Sequence, residues 1–166
     1  MAIEHDYFGL LSSGPDGSIF WSETVEFGDQ TVTVDLTAPD QDDISSAALD
    51  VAAGLIAGIE NVDAIARRGM LAEVDDRTSE VTEYILQQQD HYGDDLPEVL
   101  VDVSGDAAVD IIRSLRLMSM TILADEHGGA EPFAVLEYSL DGDTEDDVLL
   151  VNLGSDGAVL SVMSAD

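Results

Sequence analysis

Apolar and polar positions alternate with a period of two near both ends of the chain, and they follow a helical period in the middle. Near the N-terminus, "SIFWSETVEF" (18–27) and "TVTVDL" (31–36) are rich in β-branched and aromatic residues, which predicts two strands. The second segment alternates strictly, so one of its faces is predicted to be buried and the other wet. Residues 27–30 are predicted to form the hairpin loop between these strands.

The region from residue 40 to residue 66 predicts two helices, because apolar residues recur there at spacings of three and four. Asp40 is the expected N-cap of the first helix. Glycines weaken this helix further on, so a break is predicted near Asn61, which is expected to cap the second helix. The second helix is predicted to stop at Arg67-Arg68-Gly69, with continuation to Val74 as the alternative.

Two further helices are predicted before the periodicity changes. One covers roughly Thr78–Gln89, and the other covers 105–117, where apolar residues again fall on one side. The segment "DHYGDDLPEVLVDV" (90–103) between them fits no single pattern, so no structure is predicted for it.

From Leu117 onward the period is two, and residues 117–163 predict four strands joined by short links, an antiparallel meander. The last link, Gly154-Ser155-Asp156-Gly157, is a strong hairpin signal. Two strands, then helices, then four strands predict a single α+β domain over residues 1–166. We expect a two-layer sandwich, in which a mainly antiparallel sheet carries the helices on one face.

Composition narrows the classes of function. The 166 residues include 36 Asp and Glu against five Arg and no Lys, which gives a formal net charge of −31. Such a charge repels nucleic acid and anionic membranes, so we expect neither as a partner. It leaves a basic protein, cations, or a salt-adapted surface with no specific partner.

Composition and local sequence also exclude several kinds of site and bear on the location of the protein. There is no cysteine, which excludes disulfides, thiolate metal sites and a cysteine nucleophile. No uninterrupted apolar window reaches the length of a membrane span. The start "MAIEHDYFG" has neither a basic nor an apolar signal region, so we expect no signal peptide and a cytoplasmic location.

An acidic cluster is the first candidate for chemistry. It consists of Asp141, Asp143, Glu145, Asp146 and Asp147. Its start imitates a calcium-binding loop, which needs oxygen ligands at alternating positions. However, Asp146 stands where such a loop needs glycine, Asn152 stands where it needs a bidentate glutamate, and the predicted neighbours are strands. We therefore predict a solvated loop that binds calcium no tighter than millimolar.

The remaining candidates are weaker. His5, His91 and His127 have no paired spacing, so surface positions are expected rather than a metal site. "SGPDGS" (13–18) lacks the lysine and the following helix of a phosphate-binding loop. Trp21 is expected in the core or in an interface, and Met118 and Met120 in ordinary strand packing. No catalytic, cofactor-binding or metal-binding residue is predicted.

Four segments carry a resemblance to a known family. They are "HDYFG" (5–9), "IIRSLRLMSMTILAD" (111–125), "PFAVLEYSL" (132–140) and "DDVLLVNLGSDGAVLSVMSAD" (146–166). Together they resemble an uncharacterised bacterial domain-of-unknown-function family, the one numbered two thousand and four. The resemblance implies a two-layer α/β sandwich and carries no assigned activity or catalytic residues. More loosely, the chain is similar to small acidic immunity proteins that neutralise bacterial toxins, although its near lack of basic residues departs from most relatives.

These observations favour a non-enzymatic, cytoplasmic protein that acts through protein–protein contacts as an immunity-like module. The expected partner is a basic protein, no cofactor is expected, and homo-oligomerisation is left open. One alternative is an enzyme or metal-dependent protein whose site is assembled only in space. A second alternative is an acidic inhibitor whose carboxylates mimic the phosphates of DNA.

Overall fold

The structure is a computed structural model. It describes residues 2–12, 14–28, 30–38, 44–101, 103–123, 132–140 and 148–165. The strands are β1 (Ala2–His5), β2 (Gly9–Ser12), β3 (Ile19–Phe27), β4 (Gln30–Ala38), β5 (Arg116–Leu123), β6 (Ala134–Ser139), β7 (Val148–Leu153) and β8 (Val159–Ala165). The helices are α1 (Ser46–Ala57), α2 (Ile59–Ala72), α3 (Glu80–Tyr92), α4 (Leu96–Val99) and α5 (Ala107–Ser114).

The chain has an α+β fold built on a six-stranded mixed sheet, which confirms the predicted fold class. The strand order is β3-β4-β5-β6-β7-β8, and neighbouring strands are antiparallel except for the parallel pair β4 and β5. The hairpin β3–β4 and the meander β5–β8 are both confirmed, but the loop predicted at residues 27–30 is too long, because Phe27 pairs with Gln30. The parallel pair joins them into one sheet. That the hairpin and the meander share a sheet was predicted, whereas their parallel pairing was not. The separate hairpin β1–β2 was also not predicted.

The core lies on one face of this sheet, here called the inner face. Its register aligns one row of apolar side chains across five strands, and each is buried; the row is Val34, Met120, Leu136, Val151 and Val162. Residues on either side of this row point to the opposite face, because side chains alternate along a strand. That opposite face is here called the outer face.

The first helix begins later than predicted. Its N-cap is Ser45, whose hydroxyl accepts a hydrogen bond from the backbone N–H of Ala48 at 3.0 Å. The predicted N-cap, Asp40, lies outside the described residues. Gly58 separates α1 from α2, and Asn61 lies within the first turn of α2, so the prediction that Asn61 caps this helix is wrong.

The second helix was predicted to stop at Arg67-Arg68-Gly69, but it continues to Ala72, close to the alternative end at Val74. Gly69 instead lies where α2 approaches the sheet closely. A Cβ atom on Gly69 would lie 3.0 Å from Cγ2 of Val159 in β8. This glycine therefore serves the approach of α2 to the sheet rather than helix termination.

The later helices agree with the prediction in place and differ in length. The third, α3, begins after Ser79, whose hydroxyl accepts a hydrogen bond from the backbone N–H of Thr82 at 3.1 Å. The segment 90–103, for which the sequence predicts no single structure, contains the end of α3, a 3₁₀-helix at Gly93–Asp95 and the single turn α4. The fourth predicted helix is α5, which lies inside the predicted range.

Candidate functional site

Two of the three histidines considered in the sequence analysis, His5 and His91, lie in the described part of the chain. His5 in β1 lies 2.8 Å from Asp50 of α1, measured from Nε2 to Oδ1. Its Nδ1 accepts a hydrogen bond from the backbone N–H of Tyr7, which places the ring proton on Nε2. His91 lies at the end of α3 and packs edge-on against Tyr92. His127 lies outside the described residues.

The acidic cluster at residues 141–147 also lies outside the described residues, so its predicted character as a solvated loop stays a prediction. Among the residues that the structure describes, no three His, Asp or Glu side chains are grouped so that they could hold a metal ion. The same part of the chain contains no helix long and apolar enough to cross a membrane.

Trp21 and the two methionines pack as the sequence predicted. Trp21 is half-buried on the inner face of β3, where the ring of Phe8 meets it edge-on at a centroid distance of 4.8 Å. Met120 is fully buried in the core. Met118 is half-buried in β5, beside the register shift between Leu117 and Ser119.

One arginine is engaged inside the fold. The guanidinium Nε of Arg67 lies 3.0 Å from Oδ2 of Asp63, one helical turn earlier in α2. Its terminal nitrogens donate hydrogen bonds to the backbone oxygens of Ile112, at 2.7 Å, and Leu115, at 2.6 Å. Arg67 therefore neutralises a buried carboxylate and satisfies carbonyl groups at the C-terminal end of α5.

Tyr138 completes this polar network from the sheet. Its hydroxyl donates a hydrogen bond of 2.7 Å to Oδ1 of Asp63, and the Arg67 guanidinium carbon lies 5.3 Å from its ring centroid. Burial, together with the negative charge of Asp63, raises the pKa of Tyr138 well above its ordinary value. The hydroxyl therefore stays protonated and acts as a donor that fastens α2 to β6.

A second buried carboxylate anchors the segment before α5. Asp110 accepts hydrogen bonds from the hydroxyl of Ser104 at 2.7 Å and from its backbone N–H at 2.8 Å. The bond from the Ser104 hydroxyl, aided by those from backbone N–H groups, holds the pKa of Asp110 below its ordinary value in spite of burial. Both buried networks are explained by the packing of the fold.

The outer face of the sheet is the candidate functional site. Helix α2 meets the inner face of the sheet, where the hydroxyl of Tyr138 binds Asp63. Register places two neighbouring rows on the outer face, and every member is half-buried or exposed. One row is Ser22, Asp35, Thr121, Val135, Asn152 and Ser161; the other is Thr24, Thr33, Ser119, Glu137, Leu150 and Met163.

The outer face combines hydroxyl groups, carboxylates and apolar side chains. Hydroxyl residues dominate its β3–β4 side, whereas Val135, Leu150 and Met163 make its β6–β8 side more apolar. Asp35 and Glu137 lie on β4 and β6, with β5 between them, so their strands are about 10 Å apart. Such a surface offers both hydrogen-bond acceptors and apolar contact area across the width of the sheet.

The described surface is strongly acidic overall. Only four arginines are exposed, namely Arg68, Arg77, Arg113 and Arg116. Against them stand the exposed carboxylates Glu4, Asp6, Asp16, Glu23, Glu26, Asp50, Glu60, Asp75, Asp76, Glu83, Asp90, Asp94, Asp95, Glu98, Asp106 and Asp156. A cationic surface approaching this protein is therefore attracted from most directions.

Sequence reasoning predicted the wet face of β4 but missed the outer face as a whole. The alternation in "TVTVDL" indicated its hydroxyl positions, whereas only the parallel pairing of β4 with β5 makes them continuous with β6–β8. Comparisons with protein-family models, with curated proteins and with solved structures found no match to this chain. The resemblance to a bacterial family of unknown function therefore stays a prediction.

Proposed function

We propose that this chain is a non-enzymatic protein-binding module that holds a basic protein on the outer face of its sheet. The observation that carries the proposal is the outer face, whose described side chains are half-buried or exposed. It is set in a described surface where exposed carboxylates greatly outnumber exposed arginines. Polar groups on such a face give register and specificity, and its apolar side chains give contact area. The resemblance to immunity proteins agrees with this kind of role.

Charge supplies the long-range part of the interaction. A net charge of −31 attracts a cationic partner, raises its association rate and repels anionic competitors. Close contact then depends on what the outer face presents. Asp35 and Glu137 are half-buried there, so their carboxylates sit in a lower dielectric than those on exposed loops and pair more strongly with a basic side chain.

The proposal is tested by comparing two arginine variants as immobilised bait in the source organism's lysate. Thr33→Arg places a cation on the outer face at an exposed position of β4. Gln87→Arg places the same charge at an exposed position of α3 and is the matched control. We expect Thr33→Arg to reduce capture of the basic partner by at least about tenfold, because like charges opposed across an interface cost several kcal/mol.

Two results would overturn the proposal. Equal capture by both variants and the unchanged chain would mean that the protein acts only as a general polyanion. Capture of no basic protein at low salt would mean that the surface charge has no partner. Circular dichroism of each variant must first match that of the unchanged chain, so that loss of capture cannot come from loss of the fold.

A further inference from the structure

The two edges of the six-stranded sheet differ in how they are protected. At the β3 edge, Glu23 pairs with Val34 and so carries a charge on the inner-face side, and Glu26 is exposed on the other side. An inward-pointing charge on an edge strand is a common device against pairing with another chain. The β1–β2 hairpin adds protection, because Phe8 packs on Trp21 of β3.

The β8 edge lacks such charges. Val159–Ala165 contains no charged residue, although 36 of the 166 residues of the chain are acidic. Leu160 and Met163 are exposed, at 54% and 45% of their surface, and within the described residues β8 pairs only with β7. A β-bulge near Leu160 interrupts the strand start, but Ser161–Ala165 keeps a regular register with β7. An uncharged, exposed edge of this kind is a template for another strand.

Charge decides which strand fits this edge. A basic partner gains no electrostatic attraction from β8, because this edge has no carboxylates. A second copy of this chain, in contrast, meets the least electrostatic repulsion there. Each copy carries −31, and the exposed carboxylates of the described surface all lie outside β8, so an approach through the elements that carry them sets like charges against each other. We propose that β8 is a self-association edge, at which two copies of the chain pair their β8 strands antiparallel.

The pairing closes at two copies and involves no like charges along the strand. Centred on Met163, it sets Ser161 of one copy opposite Ala165 of the other, and the two Met163 side chains face each other on the outer face. An antiparallel pair of identical strands has two-fold symmetry, so the edge is used up in the dimer. The two sheets join into one, and their outer faces become continuous.

Salt separates this association from binding of a basic partner. Screening weakens the repulsion between two highly negative copies, so the dimer should strengthen as salt rises from about 0.1 M to about 1 M. Attraction of a basic partner should weaken over the same range. The self-association therefore does not depend on the proposed function, and either can fail alone.

The test is sedimentation equilibrium of the full chain over a dilution series at low and high salt. Met163→Glu opposes two carboxylates at the centre of the pair, and we expect it to lower the dimer association constant by at least about tenfold. Ser161→Glu, also at an exposed position of β8, should act in the same direction. The matched control is Phe20→Glu, because Phe20 is an exposed apolar residue on the opposite edge strand, and it should leave the dimer intact.

Two outcomes would overturn the inference. A chain that stays monomeric throughout the dilution series at high salt would leave β8 without a self-association role. Dissociation of the dimer by Phe20→Glu, with both β8 variants still dimeric, would assign the contact to the β3 side. Since Ser161 and Met163 are exposed, their variants are expected to retain the fold, and circular dichroism checks this.

Discussion

At Arg67, one guanidinium group neutralises Asp63 and binds the backbone oxygens of Ile112 and Leu115, so a single side chain links α2 to the end of α5. Tyr138 extends the link to β6 through its bond to Asp63. The spacing of Asp63 and Arg67, four residues apart in a helix, is readable in the sequence. Their partners are not, because α5 and β6 are distant in the chain.

Replacing Arg67 with Met should lower the free energy of unfolding by about 3 kcal/mol, because Asp63 would be left buried without its counter-charge. Arg68→Met, at the next position of α2 but exposed, should change it by less than about 0.5 kcal/mol. Adding Asp63→Asn to Arg67→Met should recover part of the loss, since the unpaired charge is then gone. Urea denaturation measures all three. Equal losses for Arg67→Met and Arg68→Met would contradict the assigned role.

The hydrogen bond from Ser104 to Asp110 should make stability depend on pH in a defined direction. Because the pKa of Asp110 is lowered in the folded state, this contribution is complete above the ordinary pKa and is lost as pH falls through the folded value. The stability difference between the unchanged chain and Ser104→Ala should therefore be constant near neutral pH and shrink below about pH 4. Ser46→Ala, at an exposed position of α1, should give a difference that does not vary with pH. A Ser104→Ala difference that persists unchanged in acid would show that the ionised form of Asp110 is not favoured.

Two turns of the chain share one hydrogen-bonding design. In Gly14–Ser18 and in Gly154–Ala158, the first N–H donates to the last carbonyl oxygen, at 2.8 Å and 2.9 Å. The aspartates Asp16 and Asp156 each accept a bond from the N–H two residues on. The fourth residue in each turn is a glycine with positive φ, so the sequence could predict both turns from local chemistry alone.

Alanine substitutions at two glycines should have opposite effects on stability. Gly157 has φ of +80°, so Gly157→Ala should destabilise the protein by about 1–2 kcal/mol through backbone strain. Gly54 lies within α1 with open space around its missing Cβ, so Gly54→Ala should stabilise it by about 0.5–1 kcal/mol. Thermal denaturation of the two variants checks both signs. Stabilisation by Gly157→Ala would contradict the turn as described.

The limits of sequence reasoning lie where distant elements meet. The hairpin β3–β4 and the meander β5–β8 follow from alternation, which is a local signal. The parallel pairing of β4 with β5 does not, because the helical middle of the chain separates the two strands. The predicted end of α2 at Gly69 is also wrong. This glycine lies where the helix approaches Val159 of β8, a residue distant in the chain, and local sequence does not show that approach.

For the molecule as a whole, the net charge determines how each proposed interaction depends on salt. The proposed binding of a basic protein on the outer face depends on attraction between opposite charges, whereas the proposed pairing of two β8 edges depends on weaker repulsion between like charges. The same −31 therefore predicts opposite salt dependences for the basic partner and for self-association. The candidate site could be predicted from composition only as an acidic surface; its place on the outer face required the sheet register.

The most direct measurement of the central claim follows the capture of a basic protein and the melting temperature of the chain together, as salt rises from about 0.1 M to about 1 M. We predict that a basic protein is held at low salt, that Thr33→Arg but not Gln87→Arg releases it, and that salt removes it, because the Debye length falls from about 10 Å to about 3 Å. No basic protein at low salt, with a melting temperature that rises steeply with salt, would contradict the account and leave the charge as adaptation of the surface to salt.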